Sequence, residues 1–196
     1  MYRQLIILLL VIFFSQGKSE GNGGYSGAFL RIGLGARGQA MGNAQVASAD
    51  QGFGFFYNPA AQPYLEKFSA NLSYSFLSLD RRHNFLGISS PLKPQAGLSL
   101  GWIYSGVGDI QGYDSRGFPT DKVDHGLHAI YFSFGILVVP DRLSVGINAK
   151  YLREDLSDPD FDYDGSGFGV DLGVLVRATD DLSLGYMIKD LNASLG

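Results

Sequence analysis

Residues 67–79 read KFSANLSYSFLSL, and the alternation in that stretch decides the fold. Its even positions, Phe68, Ala70, Leu72, Tyr74 and Phe76, are apolar; its odd positions, Ser69, Asn71, Ser73 and Ser75, are small and polar. Successive side chains of a β-strand point to opposite faces, so one face of this strand is greasy and the other wet. A soluble sandwich buries the greasy face against a second sheet. A membrane barrel turns it to lipid and keeps the small polar face for its lumen.

The same pattern recurs in 83–90, 96–105, 127–139, 143–152, 167–177 and 182–189. It groups Leu98, Leu100, Trp102 and Tyr104 on one face, then Ile130, Phe132, Phe134 and Ile136, then Leu143, Val145, Ile147, Ala149 and Tyr151. Lengths near ten residues suit tilted bilayer-crossing strands. The connections are sorted as well. Residues 91–94, 140–142 and 178–181 read as tight turns, whereas 107–126 and 153–166 read as long polar loops. Outer-membrane barrels have short periplasmic turns and longer outer loops. With a periplasmic N-terminus the first strand rises, and every short link then falls on the periplasmic side. Phe76, Trp102, Tyr104 and Tyr151 all come toward the outer end of the apolar face, where amphipathic rings favour the membrane interface. Together these features favour the membrane barrel over the soluble sandwich.

The N-terminus agrees. One positive charge at Arg3 precedes ten apolar residues, 5–14, and then Ser15-Gln16-Gly17. That is the pattern of a secretory signal peptide, with cleavage expected after Gly17. The chain has no cysteine, which excludes a lipoprotein anchor, a disulfide scaffold and a thiolate metal site. There are 27 glycines and only 17% charged residues, the composition of a chain whose hydrophobicity is hidden in alternation. A net charge of −4, with nothing basic clustered, argues against nucleic acid as a partner.

Seven strands cannot close a barrel wide enough to hold a plug, and an open edge in lipid would leave backbone groups unpaired. The expectation is therefore the N-terminal half of a longer barrel. It has a signal peptide at 1–17, a glycine- and alanine-rich hatch at 18–66, and the first seven strands at 67–196.

The core of the hatch reads FLRIGLGARGQAMGNAQVASAD from Phe29 to Asp50 and is followed by FYNPAA from Phe56 to Ala61. In this the chain resembles the PorV/PorQ family of outer-membrane barrels, relatives of the FadL-type hydrophobic-compound transporters. The matching positions include Arg31, Gly33, Gly35, Arg37, Met41, Gly42, Asp50, Asn58, Pro59 and Ala60. AKYLREDL from Ala149, GFGVDLGVLVR from Gly167 and LSLGYMIKDLNASLG from Leu182 resemble later family segments. Ala61-Gln62 stands where relatives often carry Gly-Leu. The resemblance implies a fourteen-stranded barrel whose N-terminal segment folds into the lumen as a hatch. It also implies outer-membrane lipid as the surrounding medium, and one of two roles. One is a component of type IX protein secretion, with secretion machinery or cargo as partner; the other is a FadL-like channel for hydrophobic small molecules.

Other motifs are weaker. Residues 33–38 spell GxGxxG without the strand, helix and distant acid of a dinucleotide site. Residues 160–165 resemble the first half of an EF-hand loop, with Asp171 at its twelfth position, but no flanking helices are expected. By alternation Lys150, Asp171 and Lys189 face the lumen on adjacent strands, which predicts an interior ion cluster. His83, His125 and His128 form no recognisable catalytic set, so no enzymatic activity and no cofactor is expected.

Overall fold

The computed structural model describes residues 27–48, 52–158 and 161–191, with backbone alone for 157, 158 and 161–163. The expected signal peptide, Asp50 and Asp160 lie outside the described residues. Among the described residues the strands form a single antiparallel sheet of seven, paired in chain order from first to last. These are β1 (Ser69–Phe76), β2 (Arg81–Leu92), β3 (Ala96–Tyr113), β4 (Pro119–Val139), β5 (Leu143–Asp158), β6 (Phe161–Arg177) and β7 (Ser183–Leu191). No described helix is long and apolar enough to cross a membrane.

Two expectations about the connections are corrected. Most of 107–126, and the described residues of 153–166, are strand rather than loop, with 114–118 left as the turn between β3 and β4. The paired strands run on through them, with Ile110 opposite Val123, Tyr113 opposite Pro119, and Asp155 opposite Asp164. The ribbon they form is wet on both sides, so the period-two apolar signal disappears although the backbone ladder continues. The β3–β4 tip is closed by Asp114, whose carboxylate accepts from the Arg116 and Phe118 amides, each at 2.9 Å. Side chains that bond their own turn are a local alternative to a longer loop.

Register arranges the two faces into rows. On the inner face, one row near the short turns is Gly97, Gly135, Gly146 and Gly173, on β3 to β6, with Ser144 and Leu175 closer still to the turns. The next is polar: Ser69, Ser89, Ser99, Ser133, Asn148 and Asp171. After it comes Gly87, Gly101, Tyr131 and Lys150, and then the apolar row Phe85, Ile103, Ala129 and Leu152. The outer face is mostly apolar and uncovered among the described residues, with Leu72 at 74% exposure, Phe132 at 50% and Phe168 at 73%.

The core therefore lies on the polar side of the sheet. Residues 27–48 and 52–64, the plug, lie against the inner face: a 3-10 turn (Ala28–Ile32), a short helix (Ala36–Ala40), a helical turn (Gly54–Tyr57) and a 3-10 segment (Pro59–Tyr64). Phe55, Phe56 and Tyr57 insert among Phe85, Ile103, Tyr131 and Leu152, all nearly inaccessible. Phe55 meets Phe85 and Tyr131 with ring centroids 6.0 and 5.8 Å apart. Each such buried side chain contributes roughly 1.5–3 kcal/mol. The greasy face of the first-strand pattern is thus not the face that this chain buries.

Candidate functional site

The plug is locked into the sheet at the Asn-Pro-Ala turn. Asn58 precedes a proline and is extended, with φ −164° and ψ 111°, as the steric bulk of Pro59 requires. It caps the 3-10 segment, its Oδ1 accepting from the Ala60 amide at 3.0 Å, with Pro59 at the first helical position. Its Nδ2 donates to Val46 O at 2.9 Å within the plug and to Val174 O on β6 at 3.1 Å. Asn58 and Ala60 are fully buried.

The glycine row makes room for this contact. A β-carbon on Gly173 would stand 2.8 Å from Pro59 Cδ, one on Gly146 2.5 Å from the Ala60 amide, and one on Gly135 3.0 Å from Pro63 Cδ. One on Gly97 would stand 2.7 Å from the Gln62 carbonyl carbon. Four strands in register thus form a trough in which plug backbone touches wall backbone. Polar side chains flank the trough. Ser144 donates to Ala60 O at 2.6 Å, Ser99 to Gln62 Oε1 at 2.5 Å, and Asn148 Nδ2 to Phe55 O at 3.0 Å.

The other described positions expected in the hatch gather in another part of the plug. Gly33 and Gly35 adopt positive φ, 83° and 71°, around the turn into the short helix. The Gly33 carbonyl accepts from His83 Nε2 of β2 at 3.1 Å and from Gln39 Nε2 at 3.3 Å. Arg31 supplies its carbonyl to Asn43 Nδ2 at 3.1 Å. Arg37 lies in the short helix, and Met41 and Gly42 follow it on the exposed side of the plug. Tyr57 ties this part down: its hydroxyl accepts from the Leu34 amide at 2.9 Å and donates to Leu34 O at 2.7 Å, with Asn43 Oδ1 at 3.1 Å. Burial raises the Tyr57 phenol pKa above its ordinary value and outweighs the opposing backbone bond from Leu34. The structure brings Asn58, Pro59 and Ala60 together at the glycine row of β3 to β6, and Arg31, Gly33, Gly35, Arg37, Met41 and Gly42 together elsewhere, where the Gly33 carbonyl meets His83 of β2.

The expected ion cluster takes a different membership. Lys150 and Asp171, 2% and 1% exposed, are joined by a 2.6 Å salt bridge. Lys150 also bonds Asp190, which the alternation did not indicate. A β-bulge explains this: Val170 pairs with Leu191 and Leu172 with Ile188, so Lys189 and Asp190 together oppose Asp171. Asp190 has φ 61°, and its amide donates to Asp171 Oδ1 at 2.9 Å. Lys189 does face inward, but its ammonium lies over the Phe56 ring of the plug, 4.3 Å from the centroid. From Phe161 onward the acidic segment is strand, Asp160 lying outside the described residues, and Arg153 Nη2 pairs with Asp164 at 3.0 Å. Among the described residues no group of His, Asp and Glu has the arrangement of a metal site.

The outer face carries the aromatic positions anticipated at its outer end. Trp102 and Tyr151 share a row with Leu72, Leu86, Ile130 and Phe168; Tyr74, Tyr104 and His128 share the next. Trp102 stacks on His128 at 5.9 Å and donates to its Nδ1 at 3.2 Å.

Comparison with family models, with curated proteins and with solved structures finds no match to this chain.

Proposed function

We propose that this chain forms the plugged wall of an outer-membrane β-barrel of the PorV/PorQ type, exported through a cleaved signal peptide and serving type IX protein secretion. The membrane part of this reading rests on the inversion of the two faces. The polar face is filled by the chain's own plug, while the apolar face is left bare. Every second residue in 130–138, 143–151 and 168–176 faces outward, and none of these positions is charged. Each run is nine residues long, counted inclusively, against the roughly 9–11 that a tilted strand needs to cross a bilayer. Hydrocarbon is the occupant that fits such a band, because water would not tolerate so large a contiguous apolar surface. Strands additional to β1 and β7 complete the wall on this reading, since their free backbone groups would otherwise lie unpaired in lipid. The secretion role rests on the hatch sequence and its Asn-Pro-Ala turn.

Two experiments test the reading in turn. Membranes washed with alkaline carbonate should retain the protein; its release into the wash would return the soluble sandwich. Deletion of the gene should then strand proteins with C-terminal secretion signals in the periplasm. Intact secretion with impaired growth on long-chain or aromatic carbon sources would replace secretion by a FadL-like channel for hydrophobic molecules.

A further inference from the structure

We propose that the cavity between the plug and the β6–β7 turn is a binding site for a zwitterionic amino-acid group, one that carries a carboxylate and an ammonium together. The cavity measures about 320 Å³, and its lining includes Tyr64 of the plug with Arg177, Asp180 and Asp181 of the wall. That volume reaches the range of roughly 300–1,000 Å³ found for small-molecule sites.

Opposite charges are held apart across this cavity, each by its own local structure. The Arg177 guanidinium lies over the Tyr64 ring, 3.7 Å from the centroid. Stacking holds a guanidinium by its face and leaves the N–H fork at its edge for a carboxylate. Among the described residues that fork has no hydrogen-bond or carboxylate partner. Asp180 and Asp181 are fixed differently, by the turn from β6 to β7. Leu182 O accepts from the Ala178 amide at 2.9 Å, and the Leu182 amide donates to Thr179 Oγ1 at 3.0 Å. Neither carboxylate has a cation within 4.0 Å among the described residues, although Arg177 lines the same cavity. A molecule with one anionic and one cationic group spans this gap, its carboxylate on Arg177 and its ammonium on Asp180 or Asp181. A plain anion would face two carboxylates and a plain cation would face the guanidinium, and like charges brought together are repelled. The site also borders the Asn58 lock. Ala47 and Leu175, both in the lining, directly follow Val46 and Val174, whose carbonyls accept from Asn58. The inference uses the plug packing and not the secretion role, so either can fail while the other stands.

The test uses the folded full chain in a nonionic detergent, with calorimetric titration of alanine, tri-alanine, sodium acetate and ethylammonium chloride. Alanine or tri-alanine should bind saturably in the millimolar range, at least tenfold more tightly than acetate or ethylammonium. Tighter binding of alanine assigns the group to a free amino acid; binding of tri-alanine at least as tight assigns it to a peptide chain. Either result supports the site. Affinity should fall at least tenfold in Arg177→Met and in the double variant Asp180→Asn with Asp181→Asn. The proposal is overturned if neither zwitterion binds saturably, if acetate or ethylammonium binds as tightly as the better zwitterion, or if both variants keep the parent's affinity. Asp180 and Asp181 are exposed, so the double variant tests the site even where Arg177→Met fails to fold. Unchanged thermal unfolding of the double variant is the check that lost binding does not reflect lost folding.

Discussion

Asn58 occupies the space that a β-carbon on Gly173 would require, and through that gap its amide reaches the backbone of β6 at Val174. Plug and wall are therefore matched at one residue pair more closely than side-chain packing allows. Asn58→Ala removes the bonds to Val46 and Val174 and should cost about 1–3 kcal/mol. Gly173→Ala should cost a similar amount, about 1–3 kcal/mol, by overpacking against Asn58 and Pro59. Because the two changes act on one contact, the double variant should lose less than the sum of the single losses. Thermal unfolding of all four proteins measures the coupling, and strict additivity would sink the match. If the plug also gates, Asn58→Ala should raise single-channel conductance.

Tyr57 fixes the other part of the plug through a single hydroxyl, and this contact gives stability a dependence on pH. The phenol ionises near pH ~10 in an unfolded chain, and burial holds it protonated to higher pH in the folded one. A raised acid contributes fully below its unfolded pKa, and that contribution is lost as pH rises above it. Protease cleavage within 27–48 should therefore be flat through neutral pH and increase in the alkaline range above about 10. Tyr57→Phe should lower stability by roughly 1–3 kcal/mol and flatten the alkaline rise. A rise of equal size in Tyr57→Phe would assign the effect to another group.

How much of this was legible in the sequence depends on which residues met water. The strands at 67–79, 127–139 and 167–177 were readable because one of their faces is apolar along most of its length. The ribbon at 107–126 was not, since neither face is buried and its strand character lies in backbone bonds that leave no side-chain period. Lys150 and Asp171 followed from alternation; Asp190 did not, because a bulge at Lys189 and Asp190 breaks the period of two. The hatch turn could be read as a turn, but not its contact with Gly97, Gly135, Gly146 and Gly173. Each glycine stands alone in its own strand, and only the register brings the four into one row. An inward glycine a few residues from a short turn, repeated in four strands, was the available signal.

The bare outer face makes a prediction that separates lipid from any soluble packing. Phe132 lies in the middle of the outward band and is half exposed. An arginine there should cost about 2–4 kcal/mol when the protein folds into lipid vesicles, the penalty for a cation near the midplane of a barrel wall. Phe118, near the tip of the β3–β4 ribbon and 65% exposed, should accept the same change with an effect of about 0.5 kcal/mol or less. Folding yields in vesicles, read as the shift of the heat-modifiable band on gels, compare the two. Equal tolerance at both positions would remove lipid from the outer face.

The Lys150–Asp171 pair, buried on β5 and β6 and joined by the more exposed Asp190 of β7, tests whether the inner wall is stabilised by its charges or merely carries them. Lys150 bonds both Asp171 and Asp190, while Asn148 Nδ2 reaches Asp171 Oδ2 at 3.2 Å. Removing one partner of a buried pair is worse than removing both, since the survivor keeps its desolvation cost without compensation. Asp171→Ala should therefore destabilise by about 3 kcal/mol, partly relieved because Asp190 remains. It also deprives the Asp190 amide of its acceptor and should loosen the bulge. Asp171→Leu combined with Lys150→Met should recover part of the loss, and urea unfolding in detergent reads both. If Asp171→Ala unfolds with the midpoint of the parent, the trio contributes nothing to holding β5, β6 and β7 together, and the charges answer to the lumen alone.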